Sequence, residues 1–424
     1  MNWHPPPRPE WVRAVNTGLV LPIVEEASLP LTRDALVDEA RATLGLDRDG
    51  GERFTDPGFG GDAFLDALSV LLPALDDEAD LTVLGRWITR RFLLRLLEVR
   101  AQSIAYLRTD PRLLDEEIDR PVFITGAPRT GTTILHALLS CVSGTRVPEG
   151  WELLWPVPPP EPDAFPDPAR VALADRELRR PALVVSGLDA IHEYGGRMQK
   201  ECVSAMSFEF RSEEFTARYR VPSYVDWLGS CDMGPAYDWH RLVLQILQRR
   251  YERARWVLKS PVHLHSLPTL LSTYPDASIV VTHRDPLAVL ASVTSLVATL
   301  RYAHSDAVDL ADIGAYHAEL YARGLDQLVD LAEDGTLEPD RVHHVRYADF
   351  TADPMATVVS TLAALELPSA PPTLDAMRAR LAASAEAQGG HRYSFDDLGL
   401  DPAVQRKRFQ RYQDRFGVPD EIQG

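Results

Sequence analysis

Between Gly126 and Thr133 the chain reads Gly-Ala-Pro-Arg-Thr-Gly-Thr-Thr, with a cation between two glycines and two hydroxyls behind them. Glycines spaced as Gly126-x4-Gly131 let backbone N–H groups turn inward around an oxyanion. A helix that starts at once adds its unpaired first-turn N–H groups and the positive end of its dipole. Thr130, Thr132 and Thr133 bring hydroxyl donors, and Arg129 brings a permanent charge whose planar fork binds oxyanions bidentately. The place directly after the second glycine, where a loop for a nucleoside triphosphate carries Lys, is Thr132. The cation here stands upstream instead, which suits an anionic group lying along the loop.

The loop needs a strand before it and a helix after it. Val122-Phe123-Ile124-Thr125 is a β-rich run stopped by Gly126, and ILHALLSCV follows the loop at helical period. Similar β-rich runs return at 255–258, 277–282 and 342–347, separated by helical stretches. Strands alternating with helices predict a parallel sheet with right-handed crossovers and ligands at the carboxyl ends of the strands. From Leu31 to about Leu114 apolar residues recur at helical spacing, as in LTVLGRWITRRFLLRLLEV. The expected architecture is therefore α/β, a P-loop-like parallel sheet flanked by helices. A helical N-terminal region spans 1–118 and an α/β domain 119–424, the latter carrying helical cap segments over about 170–255. The proline-rich passage from Pro156 to Pro168 reads as an extended connector.

Composition bounds the partners. Lys and Arg number 44 against 62 Asp and Glu, a formal net charge of −18, so the surface as a whole repels nucleic acid and anionic membranes. An anionic ligand must meet a local basic site. Three cysteines, Cys141, Cys202 and Cys231, fit neither a disulfide framework nor a zinc cluster and point to a reducing cytoplasmic setting. The opening MNWHPPPRPEW lacks a basic stretch followed by an apolar run, and nowhere do about eighteen apolar residues follow one another, so neither export nor a membrane span is expected. Oligomeric state is not legible.

Pro128-Arg129-Thr130-Gly131-Thr132-Thr133 resembles the 5′-phosphosulfate loop of the sulfotransferase family, written PRSGTT or PKSGTT. A second motif of that family is a strand ending in Arg, followed by a helix that presents Ser eight residues on. Here the strand ends in Thr282-His283-Arg284, and Ser292 stands at that spacing. Arg284 at the strand end and Ser292 two helical turns later can face one phosphate, the first with charge and the second with a directed donor. The resemblance implies 3′-phosphoadenosine 5′-phosphosulfate as donor co-substrate, with no metal required. It matches the larger bacterial, actinobacterial-type branch over nearly the whole chain. Trp256-Val257-Leu258-Lys259-Ser260-Pro261 resembles the Lys-Ser/Thr-Pro segment whose Lys stabilises the departing phosphate oxygens. Arg346-Tyr347-Ala348-Asp349-Phe350 resembles the segment whose Tyr contacts the adenine side. Arg406-Lys407-Arg408-Phe409 reads either as the tail that closes over the 3′-phosphate or as a solvated basic face.

Sulfuryl transfer needs in-line geometry, charge stabilisation at the leaving oxygens and a group to take the acceptor's proton. Arg129 and Lys259 are the candidates for the charge. For the base, the family comparison leaves Glu149, Glu152, His192 and His263 open and favours Glu152, which precedes the proline-rich passage as in WELLWPVPPP. His192 and Glu201-Cys202, in IHEYGGRMQKEC, resemble a segment lining the acceptor side. Phe208, Phe210, Phe215, Tyr219, Tyr224, Trp227, Tyr237 and Trp239 fit either an apolar acceptor site or ordinary core. The expected acceptor is a hydroxyl of a small molecule, lipid or carbohydrate. The rivals are a P-loop kinase or nucleotide hydrolase, and a catalytically silent nucleotide-binding scaffold.

Overall fold

In the computed structural model, residues 3–46, 54–56, 58–159, 161, 165–188, 194–250, 254–387 and 394–422 are described. The strand β1, Val122–Thr125, is buried along its whole length, as a strand covered on both faces must be. It is flanked by β3 (Arg255–Lys259) and β4 (Ser278–His283), with β2 (Thr145–Arg146) and β5 (Val342–Arg346) at the edges. The order is β2-β3-β1-β4-β5, and every pairing is parallel. The expected parallel α/β sheet is present. β2 has no signal in the sequence, because two residues cannot display a period.

Alternation along the strands supplies two cores. Phe123, Leu258, Ile279 and Val281 join the larger cluster, which also takes Leu93, Leu96 and Leu97 from the helix Val83–Thr109. Val122, Ile124, Val257 and Val280 face Leu135, Leu138, Val358 and Leu362 on the other side. The helices ahead of β1 thus share a core with the sheet.

Seven of the eight cap aromatics lie in that core. Phe208, Phe210, Phe215, Tyr224, Tyr237 and Trp239 are all 0% exposed, and Tyr219 is buried beside them; only Trp227 is partly exposed. Between Leu154 and Pro168 the described residues form no regular element, as the prolines dictate. Among the described residues no helix is long and apolar enough to cross a membrane.

The register decides the position of the site. Ile124 stands opposite Lys259 and Val280, and His283 stands opposite Arg346. Gly126, Lys259, Arg284 and Tyr347 consequently leave the sheet at one edge, where parallel strands place their ligands.

Candidate active site

The loop after β1 is held open by close packing beneath it. Gly126 has φ +130°, and a Cβ there would come 2.3 Å from the Thr282 carbonyl oxygen, so only glycine fits. Thr130 is buried; its hydroxyl donates to the Ala127 carbonyl at 2.7 Å and also pairs with the Thr282 hydroxyl. That side chain props the loop from below, and its share in holding an anion would come from its N–H. Gly131, at φ +91°, caps the helix Thr132–Leu139. Thr132 is buried at the first helical position, and Thr133 accepts from Lys259 Nζ at 3.3 Å. His136 pins the helix to β3 through Nε2 and the Val257 carbonyl at 3.0 Å. Burial, with the charge of Lys259 nearby, pushes its pKa down to about 3, so it is neutral and donates this bond.

Arg129 adopts φ +66°, a left-handed conformation unfavourable for a residue with a Cβ by about 1–3 kcal/mol. Bonds from the second motif hold it there. Arg129 Nε donates to Ser292 Oγ at 3.0 Å, and Arg284 Nη1 donates to the Arg129 carbonyl at 2.7 Å. The two sequence motifs, more than 150 residues apart, form one constellation. Tyr347 completes it: the Arg284 guanidinium lies 4.1 Å above its ring, and its Cδ2 stands 3.4 Å from where a Cβ on Gly131 would lie.

Arg284 also carries a carboxylate on its fork. Its Nε donates to Glu421 at 2.9 and 3.1 Å, and its Nη2 at 2.8 Å. Asp285 holds this segment in place by accepting from the N–H groups of Glu421 and Ile422 at 2.7 and 3.0 Å. Burial pushes the Asp285 pKa up, but its bonds from Arg406 and those N–H groups outweigh this and hold it below the usual range. The basic tail is therefore engaged internally. Arg406 bonds Asp285, while Arg408 and Arg411 pair with acids of the helix Leu310–Glu333.

At the end of β3, Lys259 is 3% exposed and pairs with Glu201, whose side chain remains 29% exposed. The Cys202 N–H donates to the Lys259 carbonyl at 3.0 Å and ties the two segments together. Glu152, favoured in the sequence as base, sits differently. It is wholly buried, accepts from Arg146 Nη2 at 2.6 Å, and accepts from the Glu149 N–H at 2.9 Å in a reciprocal capping box. Both oxygens serve the helix Gly150–Leu154 and the edge of the sheet. The Glu149 carboxylate likewise accepts from Trp151 Nε1 and Arg197. His263 is buried against Phe123 and His240, and its Nδ1 pairs with the Tyr237 hydroxyl at 2.8 Å. Burial pushes its pKa well down. His192 lies outside the described residues.

Thr282 and Glu421 were invisible as site residues in the sequence. Glu201 was legible only as part of an acceptor-side segment. Among the described residues no group of three His, Cys, Asp or Glu side chains could hold a metal ion.

Comparison with known proteins identifies the family and the fold. The chain is 28% identical over 247 residues to the omega-hydroxy-beta-dihydromenaquinone-9 sulfotransferase Stf3 of Mycobacterium tuberculosis and to that of Mycobacterium bovis. Those matches span 56% of this chain and 60% of the length of the curated relatives. The crystal structure of sulfotransferase STF1 from Mycobacterium tuberculosis superposes with a TM-score of 0.75 at 32% identity, covering 89% of this chain and 98% of that one. Sulfotransferase STF9 from Mycobacterium avium shares the fold, with a TM-score of 0.82 at 23% identity over 93% of this chain and 99% of that one. The family model described as Sulfotransferase family matches residues 121–371, which contain the loop, Lys259, Arg284, Ser292 and Tyr347. The chain belongs to the sulfotransferase family.

Proposed function

We propose that the chain transfers a sulfuryl group from 3′-phosphoadenosine 5′-phosphosulfate to the hydroxyl of a lipid or small apolar acceptor, in the cytoplasm. The observation that carries this reading is the meeting of the two anion-binding motifs: Arg129 Nε on Ser292 Oγ and Arg284 on the Arg129 carbonyl, with Lys259 on the same sheet edge. One loop with a lysine after Gly131 would suit a triphosphate; two linked arginine sites suit a nucleotide with phosphates at both ends of its ribose. The lipid acceptor is supported by the relatives named for omega-hydroxy-beta-dihydromenaquinone-9. The cytoplasmic assignment rests on three cysteines that are all free thiols.

In this reaction the acceptor oxygen bonds to sulfur as the bond from sulfur to the bridging phosphate oxygen breaks. Arg129, Lys259 and the N–H groups of Gly131, Thr132 and Thr133 stabilise the charge gathering on the departing phosphate. Glu201, beside Lys259 and partly open, takes the acceptor's proton in place of Glu152, whose oxygens are committed elsewhere. Arg284 and Ser292 hold the 3′-phosphate, and Tyr347 borders the adenine side.

Transfer of radiolabelled sulfate from this donor across a panel of hydroxylated lipids and phenols is the direct test, with calorimetry of 3′-phosphoadenosine 5′-phosphate against ATP beside it. Binding of the bisphosphate with labelled product is expected. Tight ATP binding with none for the bisphosphate would overturn the reading in favour of a kinase or hydrolase. Bisphosphate binding without transfer to any acceptor would leave a scaffold.

The carboxylate on Arg284 adds a prediction. Glu421 stands where the 3′-phosphate would bond, and two anions cannot share one edge of a guanidinium. Glu421→Gln is expected to tighten bisphosphate binding by about tenfold, the scale of one charge-assisted bond. Weaker binding in the variant would mean that Glu421 orients Arg284 and does not compete.

A further inference from the structure

Between the segments that continue from Glu201 and Lys259 the structure contains a cavity of about 560 Å³. It is walled by the continuations of the segments that carry this pair: Met206 follows Glu201, and Val262 follows Lys259. Val225, Leu228, Met233 and Leu320 add apolar surface, and Asp232, Ser266, Thr269, Arg323 and Gln327 add polar groups to the lining. The size is that of a pocket enclosing a drug-sized molecule.

Two ionisable groups face each other inside. Glu213 opens the helix Glu213–Arg218, and its Oε1 lies 3.9 Å from His265 Nε2. Their side chains keep 22% and 15% of their surface accessible, respectively. The helix Leu310–Glu333 makes room for the imidazole. At Gly324 a Cβ would come 2.6 Å from His265 Nδ1, and Tyr321 stacks on the ring at 6.1 Å. A bulkier residue at 324 would drive His265 into Glu213. The neighbouring carboxylate, Glu214, is committed elsewhere, to Arg218, Ser204 and Ser207. Glu213 and Asp232 are the acids that line the cavity, and Glu213 is the one beside His265.

We propose, building on the sulfuryl-transfer reading, that this cavity receives the acceptor's apolar body and that Glu213 with His265 forms its polar end, selecting an uncharged molecule with a hydrogen-bond-accepting oxygen. Burial pushes the Glu213 carboxyl up to about 8 and the His265 imidazole down to about 4, so at neutral pH the pair presents a protonated acid and a neutral ring. The other titratable groups around Glu213 are Tyr316, Tyr321 and Arg323 of the helix Leu310–Glu333, Tyr237 of the helix Gly234–Gln248, Tyr224 of the helix Pro222–Leu228, and Cys231 and Asp232 between the cap helices. Arg323 lies 3.8 Å from Glu319. A protonated carboxyl can donate to an ether, carbonyl or hydroxyl oxygen. An acceptor bearing a carboxylate near that end is disfavoured, because its charge would give up hydration against a neutral carboxyl and a neutral ring.

The test uses 2-(2-naphthyl)ethanol as a neutral fluorescent probe and 2-naphthylacetate as its anionic counterpart, on the full chain without donor. The alcohol is expected to bind at pH 6.5. Its affinity should fall by about tenfold per pH unit above about 8, as Glu213 loses its proton. Glu213→Gln should abolish that slope while keeping binding at pH 6.5 within about threefold. Leu228→Trp and, independently, Met233→Trp should each remove probe binding and raise the acceptor KM, with bisphosphate affinity unchanged as the control for folding. An unchanged pH slope in Glu213→Gln, or equal binding of the acetate, overturns the polar assignment. Full sulfuryl transfer with normal acceptor KM in both tryptophan variants overturns the acceptor assignment. Loss of sulfuryl transfer in the unaltered chain would count against the parent reading instead, since probe binding is measured without donor.

Discussion

Glu201→Gln is expected to lower turnover in sulfuryl transfer by about two to four orders of magnitude, the range contributed by a positioned general base, while bisphosphate affinity stays within a few-fold. The amide keeps the shape of the side chain and a hydrogen bond to Lys259 but cannot take the acceptor's proton. The control is Glu152→Gln. There the carboxylate accepts from Arg146 and from the Glu149 N–H, so the amide loses one charge-assisted bond inside the protein. Burial pushes the Glu152 pKa up, opposed by the charge of Arg146. The expected result for Glu152→Gln is a fall in the urea midpoint with turnover nearly kept. Single-turnover measurements of both variants decide the matter: near-normal turnover in Glu201→Gln with collapse in Glu152→Gln would return the base to the position favoured by the sequence.

The second large effect concerns stability. Arg100 and Glu209 form an ion pair in which both side chains are 0% exposed. Arg100 donates to the carbonyls of Phe54 at 2.8 Å and Phe208 at 3.0 Å, and its guanidinium lies 4.0 Å from the Phe64 ring and 4.4 Å from Trp239. Burial lowers the Arg100 pKa and raises that of Glu209, each countered by the partner's charge. The guanidinium remains cationic, since its ordinary pKa lies far above neutral. Glu209→Ala therefore leaves a buried charge without its counter-ion and is expected to cost about 3–5 kcal/mol. Urea unfolding followed by circular dichroism reads this directly. A double variant, Arg100→Met with Glu209→Leu, should recover most of the loss, because removing both charges also removes their desolvation cost. A loss below about 1 kcal/mol for Glu209→Ala would show that water reaches the pair.

Much of the donor side was legible locally. The proposed anion cradle rests on backbone N–H groups and a helix start, and its glycines, Arg129 and threonines lie within eight residues; the strand that precedes it is the four-residue β-rich run Val122–Thr125. Arg284 and Ser292 were legible as a spaced motif, but their meeting through Arg129, which bonds Ser292 and accepts from Arg284, was not. The acceptor side was not. The crowded aromatics of the cap proved to be core, because ring size and apolarity describe a packed interior as well as a binding wall. Glu152 and Glu201 are both acids in the right part of the chain, and only the fold separates them: Glu152 is wholly buried with Arg146 and a backbone N–H on its oxygens, whereas Glu201 lies beside Lys259 with 29% of its side chain exposed.

The sequence by itself determined the family: a loop from Gly126 to Thr133 between a strand and a helix, without a lysine after Gly131, and the later Arg284 and Ser292 carry the likeness to sulfotransferases that the family model matches. The tertiary structure decided which groups meet. Sheet register brought Arg129 onto Ser292 and Lys259 beside Thr133 and Glu201, and packing laid Glu421 across Arg284, over separations of 163, 126, 58 and 137 residues respectively. Contacts at such separations follow from strand order and crossover packing, which no local pattern of residues encodes.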